Sequence, residues 1–293
     1  MGVAGWPEVF RGSDAIAAGL VTPGMLRGPR FVRIFPDIYA PAGDEAPDPA
    51  LRSRAAALLV AGRGVVSGYS AAELLGASCA PLGAPAEVTL LHGRQRAHPG
   101  LLVHRDRLAP GELRQVGAVQ VTGPVRTAYD LARRGDLVEA VVAVDRLANK
   151  HRFAPDLLLN FAVHYPRARG NTRVADVLAH ANPYAGSPME SRLRMLLVGA
   201  GLPRPEVQWV VQDPATRTAV WLDLAYPHAM VGIEYEGEDH TSPEWVLRDV
   251  GRYTRLVDRG WRIYRYTKYE IRGEPDRIVA EIARALHLDV ARG

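Results

Sequence analysis

Three carboxylates stand where a folding chain would not ordinarily put them. Asp223 interrupts the apolar run Val220-Trp-Leu-Asp-Leu-Ala225, and Glu234 and Glu236 interrupt Val231-Gly-Ile-Glu-Tyr-Glu-Gly237. A spacing of two places Glu234 and Glu236 on the same face of a strand. Carboxylates buried in a sheet are costly, and neighbouring ones raise each other's pKa. A divalent cation resolves that conflict, because Mg²⁺ (or Mn²⁺) takes hard oxygen ligands and keeps several waters. Such an arrangement suits phosphodiester hydrolysis, in which a metal activates water and stabilises charge on the scissile phosphate. His240 follows Glu236 by four residues and could position that water or protonate the leaving oxygen. Arg248, Arg252 and Arg265 could hold phosphates.

Each residue also has a plainer reading. Glu190 stands three residues after Ser187 and completes a capping box. His240 could be a loop histidine. Arg248 and Arg252 could pair with Glu244 and Asp249 along a helix, and a salt bridge to Arg265 without metal could account for two of the three strand acids.

The elements that must position these residues follow from spacing and punctuation. From Ser187 onward the order is a helix with a Leu193, Leu196, Leu197 stripe, then strands over Val207–Val211 and Val220–Leu224 about an Asp213-Pro-Ala-Thr turn. A strand over Met230–Glu236, a helix over Pro243–Asp258, a strand over Trp261–Tyr266 and a helix over Pro275–Leu286 complete a mixed α/β sandwich. Earlier in the chain, Ser13 is expected to cap a helix over Asp14–Ala18, and Thr22 another that opens on Pro23. A strand pair, Phe31–Phe35 and Ile38–Ala40, follows about Pro36-Asp37. Two capped helices and a ribbon describe a winged helix-turn-helix, with Arg27, Arg30 and Arg33 placed to meet a phosphate backbone. The middle region predicts helices over Ala50–Ala61 and Ser67–Leu75 (Ser70 a possible cap). Strands follow over Val88–Leu91, Leu101–His104 and Val116–Val121, then helices over Arg126–Arg133, Leu137–Asn149 and Pro155–His164. The expectation is an α/β (α+β) chain of three parts: 1–49, a winged helix-turn-helix; 50–184, a middle α/β domain; and 185–293, a mixed sheet flanked by helices.

Composition sets the bounds. The chain has 293 residues, 47% hydrophobic and 23% charged, ordinary for a globular protein. The single cysteine, Cys79, excludes an internal disulfide or a multi-cysteine zinc site. Apolar runs are too short to span a bilayer and no secretory leader is visible, so a cytoplasmic protein without membrane association is expected. Only Lys150 and Lys268 are lysines, leaving 34 arginines of the 36 basic residues. Arginine binds phosphate in a bidentate fork, although a GC-rich genome gives the same bias. Residues 1–184 sum to +5 and residues 185–293 to −1, so the positive excess lies where a DNA-binding module needs it.

Two resemblances sharpen these expectations. Asp14-Ala-Ile-Ala-Ala-Gly19, the Phe31…Ile38-Tyr39-Ala-Pro41 segment, Ser67-Gly-Tyr-Ser-Ala-Ala72 and Thr122-Gly-Pro-Val-Arg-Thr-Ala-Tyr-Asp-Leu131 resemble AbiEi-like proteins, the antitoxins of type IV toxin–antitoxin systems and their relatives. The resemblance covers about the first 180 residues and implies a winged-helix DNA-binding head with an associated α/β domain. The last hundred residues resemble the PD-(D/E)XK nucleases, in particular the group related to very-short-patch repair enzymes. Ser187-Pro-Met-Glu190, Asp223, Ile233-Glu-Tyr-Glu-Gly237, His240, Asp249-Val-Gly-Arg252 and Gly260-Trp-Arg-Ile-Tyr-Arg265 carry it. By that resemblance Asp223 and Glu236 hold metal, Glu190 and Glu234 support it, and His240 assists. Glu236 replaces the commoner Asp. The lysine of the broader superfamily is absent at that position, and Lys268 could substitute only by folding back over the site.

Together these readings predict a Mg²⁺- or Mn²⁺-dependent DNA endonuclease with an N-terminal DNA-binding region and no small-molecule cofactor. Repair of damaged or mismatched bases, restriction, and toxin–antitoxin or phage-defence roles all fit the same residues. Cutting both strands takes two active sites, which leaves a homodimer open. The alternatives are a DNA-binding, antitoxin-like regulator whose nuclease fold no longer cleaves, and an interaction protein built on both folds.

Overall fold

The first two short helices owe their places to hydrogen bonds made by the loops around them. In the computed structural model, which describes residues 5–213, 218–237 and 256–288, helix α1 spans Gly12–Ala17 and α2 spans Pro23–Leu26. The Thr22 hydroxyl accepts the Met25 amide at 3.3 Å, and Pro23 supplies a preset φ at the first helical position. The expectation that Ser13 caps α1 is corrected: the helix begins before it. The Ser13 amide and hydroxyl instead donate to the Asp37 carboxylate at 2.8 and 2.6 Å. Asp37 sits in the left-handed region (φ 63°) of the turn joining β2 (Phe31–Phe35) to β3 (Ile38–Pro41), so this turn residue ties helix to ribbon. A short strand β1, Phe10–Arg11, adds to the ribbon in the order β1-β3-β2. Phe10, Leu26 and Phe31 bury beneath it with Trp6, their aromatic rings 4.9–5.3 Å apart.

The middle region is a five-stranded sheet followed by a helical layer. Asp48 caps α3 (Pro49–Leu59) by accepting the Leu51 amide at 2.6 Å. Next come β4 (Gly64–Val66), α4 (Gly68–Leu74), β5 (Ala86–Leu90) and β6 (Leu101–Arg105). The single strand expected over Val116–Val121 is a hairpin instead, β7 (Leu113–Val116) and β8 (Val119–Thr122), because Gly117 takes a left-handed turn at φ 57°. Sheet order is β6-β5-β4-β8-β7. Ser70 does not cap α4; its hydroxyl accepts the Glu87 amide at 2.9 Å and fastens the helix to β5. Helices α5 (Pro124–Arg134), α6 (Leu137–His151), α7 (Leu157–His164) and α8 (Thr172–His180) then pack around Tyr129, Val141, Val144, Leu147 and Leu158. No helix among the described residues is long and apolar enough to cross a membrane.

The last region begins with α9 (Pro188–Gly199), whose Leu193 and Leu197 are fully buried as the stripe predicts. Strands β9 (Glu206–Asp213), β10 (Thr218–Tyr226), β11 (Val231–Glu236) and β12 (Arg262–Thr267) form one sheet in the order β12-β11-β10-β9. The β11–β12 pair is parallel and the others antiparallel. Two further helices, α10 (Lys268–Gly273) and α11 (Pro275–Ala285), follow. Ile278 and Ile282 of α11 join Leu193, Leu197, Leu224 and Ile233 in one core. The helix expected over Pro243–Asp258 lies outside the described residues apart from its end, 256–258, which is helical. The boundary drawn between 184 and 185 is crossed by polar contacts: Asp145 on α6 accepts the Arg194 guanidinium at 2.6 Å, the Ser191 hydroxyl at 2.7 Å and the Asn182 amide at 2.6 Å. Arg192 pairs with Glu139 at 2.6 Å. The whole is α+β, with mixed and antiparallel sheets.

Candidate active site

The site forms where two strands part. β10 and β11 pair from Tyr226–Val231 through Leu224–Ile233, and there, among the described residues, the ladder ends. The next amide of β11, that of Tyr235, is taken by the Asp223 side chain, whose Oδ2 accepts it at 2.9 Å. A carboxylate has replaced a backbone carbonyl as partner, and the strand edge is satisfied while the strands open.

On the other side of β10 the ladder to β9 is disturbed at the same level. Leu222 pairs with Trp209 and Leu224 with Val207, while Gln208 between them has a left-handed backbone, φ 53°. A non-glycine residue in that region costs on the order of 1–3 kcal/mol and marks a place where the surroundings overrule the backbone. The side-chain alternation of β10 also changes here. Leu222 packs with Leu256 and Trp261, whereas Leu224, two residues on, packs with Leu193 and Ile233 in the other core. Asp223 stands at the switch.

Glu190 reaches this point from the first turn of α9. The Ser187 hydroxyl accepts the Glu190 amide at 3.2 Å, which is the expected first half of a capping box. The second half differs: Glu190 Oε2 accepts the amide of Gly186, at 2.8 Å, rather than that of Ser187. The same oxygen accepts the Gln208 side-chain amide at 3.0 Å. A Cβ on Gly186 would lie only 3.0 Å from the Glu190 carboxylate, so glycine is what lets the loop close on it. Burial, and then the negative charge of Asp223, raise the Glu190 pKa from its ordinary 4.5 to about 7. Near neutral pH this carboxyl is balanced between proton and charge, the state in which a cation displaces a proton most readily.

The two β11 acids share a face, as their spacing predicts. Val231 and Ile233 point into the core with α9 and α11. Gly232, of the opposite parity, faces Leu222 and Ile263, and a Cβ there would come within 2.8 Å of both. Glu234 is buried at 7% exposure and Glu236 is half-exposed. Glu236 Oε1 lies 3.0 Å from Arg265 Nη2, so the metal-free salt bridge weighed from the sequence is present for that one acid. Lys268 Nζ lies 5.2 Å from the ring centre of Tyr269.

The chain thus brings Glu190 and Asp223 into electrostatic contact, sets Glu234 beside the register position of Arg265, and gives Glu236 to that arginine. Among the described residues no group of three or more acids, histidines or cysteines converges closely enough to hold a metal ion. His240, Arg248 and Arg252 lie outside the described residues. Arg27, Arg30 and Arg33 are exposed in the first region and make no ion pair among the described residues. The sequence reading missed Gln208 and Gly186. A signal for the first existed, since a polar residue in the apolar run Val207-Gln-Trp-Val-Val211 needs a reason to be there.

No family model matches this sequence. A crystal structure of the RV2827C protein from Mycobacterium tuberculosis is similar at a TM-score of 0.42 and 16% identity, over 73% of this chain and 86% of that one. Two sequences from Mycobacterium tuberculosis, "Uncharacterized protein MT2308" of strain CDC 1551 / Oshkosh and "Uncharacterized protein Rv2248" of strain ATCC 25618 / H37Rv, are each 32% identical over 270 residues, covering 89% of this chain and 94% of their own length. With that identity along nearly the whole of both lengths, the chain belongs to the same family as MT2308 and Rv2248.

Proposed function

We propose that the protein is a metal-dependent DNA endonuclease of the PD-(D/E)XK kind, joined to an AbiEi-like, winged-helix DNA-binding region. The observation that carries this reading is the Glu190–Asp223 pair, two carboxylates from separate elements held at the break between β10 and β11, one with its pKa raised to about 7. Their donor chemistry fits a divalent cation: hard oxygens from two separate elements and, for Glu190, neutral hydrogen-bond donors, the Gly186 amide and Gln208. Glu190 and Asp223 would hold Mg²⁺ or Mn²⁺, with Glu234 and Glu236 on the adjoining strand as the further acids. The cation would supply charge neutralisation at the scissile phosphate and an activated water. Gln208 and the Gly186 amide fix the Glu190 carboxylate, and Asp223 is fixed by the Tyr235 amide. Arg265 holds Glu236 in place and adds positive charge beside it. The exposed arginines of the first region, Arg27, Arg30 and Arg33, would contribute duplex affinity through phosphates.

A plasmid-nicking assay with Mg²⁺ or Mn²⁺ tests the reading. Wild type should convert supercoiled to nicked or linear DNA, and Asp223→Ala should lower that rate by at least about 10²-fold, the equivalent of several kcal/mol of lost charge stabilisation. Intact supercoiled, linear, nicked and mismatched DNA under wild type would reject it.

One observation favours a second reading, a DNA-binding, antitoxin-like regulator with an inactive nuclease fold. Arg265 occupies the carboxylate that the family resemblance assigns to the metal, and no three-acid group forms among the described residues. A DNA mobility shift unchanged by EDTA, with no cutting, would select it.

A further inference from the structure

The eighteen residues Val88–Arg105 carry three arginines and three histidines and no acid. They form β5, β6 and the loop between them, and β6 is the edge strand of the middle sheet. Two arginines shape this loop from below. Arg63 donates to the Arg94 carbonyl at 2.7 Å and to the Gln95 side chain at 3.0 Å, and Arg105 donates to the Gly93 carbonyl at 3.0 Å. With its backbone oxygens bound to guanidinium groups, the loop turns outward His92, Arg94 and Arg96, all exposed. Neither Arg94 nor Arg96 has an ion-pair partner among the described residues. The nearest acids in sequence are engaged elsewhere: Glu87 meets His104 at 2.7 Å, and Asp106 pairs with Arg126 at 3.1 Å and with Arg133 and Arg134. His98, at the loop's far end, packs edge-on against Phe35 at 5.2 Å, which sets the loop beside the β2–β3 ribbon and its exposed Arg33.

We propose that the β5–β6 loop is a second contact for a nucleic-acid duplex, with Arg94 and Arg96 binding backbone phosphates next to those met by the first region. The inference rests on the DNA-binding part of the proposed function and is independent of cleavage. A loop whose backbone is already braced by two other arginines loses little backbone freedom when its exposed guanidinium groups fork onto phosphates. A loop of His-Gly-Arg-Gln-Arg presents charge with little apolar surface, which suits a phosphate backbone better than a lipid bilayer.

The test is fluorescence anisotropy of a labelled 20-base-pair duplex with the full chain, in EDTA to exclude cutting, over a range of salt concentrations. The R94A/R96A double variant should bind at least about tenfold more weakly near 0.1 M salt, with a log–log salt slope shallower by about 2, since each phosphate contact contributes about 0.9. The R272A/R284A double variant, at two exposed arginines on α10 and α11, removes the same net charge and should match wild type. Far-UV circular dichroism melts should coincide for all three proteins. Wild-type binding with an unchanged slope in R94A/R96A would overturn this proposal and leave the proposed function standing. An absence of duplex binding by wild type would overturn both. Sedimentation with phosphatidylserine vesicles, lost in R94A/R96A while duplex binding is kept, would assign the loop to membranes and reject the duplex.

Discussion

Two buried polar regions of this molecule treat charge in opposite ways. In the middle region Arg126, 1% exposed, lies at the centre of a charge-matched cluster. Its Nε donates to Asp130 at 3.0 Å and its Nη1 to Glu112 at 2.5 Å and to the Arg107 carbonyl at 2.9 Å, while Nη2 faces Asp106 at 3.1 Å. Arg133 binds the other oxygen of Asp130, and the Tyr165 hydroxyl donates to Glu112 at 2.6 Å. In the last region Glu190 is also buried, at 7% exposure, yet it meets an amide, a glutamine and a second carboxylate's field. In the first arrangement three guanidinium groups, Arg126, Arg133 and Arg134, face three carboxylates, Asp106, Glu112 and Asp130. In the second, burial and a neighbouring carboxylate favour the protonated form of Glu190, and only neutral groups donate to it. Burial alone therefore does not distinguish a structural cluster from a candidate site; whether the buried group is held by opposite charge or by neutral donors does.

The largest effect is expected from breaking the matched side. Arg126→Met removes a cation that touches all three acids and leaves Glu112 with no ion pair among the described residues, a loss of about 3–5 kcal/mol of stability measurable by urea unfolding. A loss under 1 kcal/mol would mean that Arg133 and Arg134 suffice, and the cluster is not organised by Arg126.

A smaller change of opposite sign is expected at Glu190. Between pH 4.5 and about 7 the folded protein keeps a proton on Glu190 that the unfolded chain releases. Folding stability contributed by this group therefore falls as pH rises through that window and is level above it. Glu190→Gln keeps the side chain neutral at every pH. It should be more stable than wild type by on the order of 2–3 kcal/mol at pH 8 and equal to it at pH 4, by urea unfolding at both values. Equal stability at pH 8 would show that neither burial nor Asp223 raises the Glu190 carboxyl. Adding 10 mM Mg²⁺ should narrow the pH 8 difference, because a ligand that binds the folded state offsets the repulsion in wild type alone.

Gln208→Leu should have the smallest effect. Losing one neutral donor to the Glu190 carboxylate raises its pKa further and costs about 1 kcal/mol above pH 7, where the carboxylate is charged, and less at pH 4. A cost that is the same at both pH values would assign Gln208 to packing instead.

Much of the last region was legible from spacing. The α9 stripe, the β9–β10 hairpin, the shared face of Glu234 and Glu236 and the Ser187 cap follow from local rules, because period and turn chemistry act over a few residues. The matched cluster was not legible as such. Arg126 and Asp130 stand four apart on α5 and suggest a pair, but Glu112 and Tyr165 reach them from β7's approach and from beyond α7, and nothing in a linear reading joins those segments. Gln208 was overlooked for a similar reason: its side chain matters only because α9 returns over β9. The Val116–Val121 hairpin was missed because a single glycine reads as a defect in a strand as readily as it reads as a turn.

What the chain determined by itself, then, is its elements and its odd acids: apolar period, caps and the carboxylates placed in apolar strands are properties of neighbours in sequence. Which acids meet was decided by tertiary structure alone. The switch in β10 at Asp223, the opening of β10 from β11, and the close of the Gly186 loop are what set Glu190 in the field of Asp223 and leave Glu236 to Arg265. The physical reason is range. Backbone propensity acts within a turn or a pair of strands, whereas the pKa of a buried carboxyl depends on every charge within several ångströms, whatever its place in the chain.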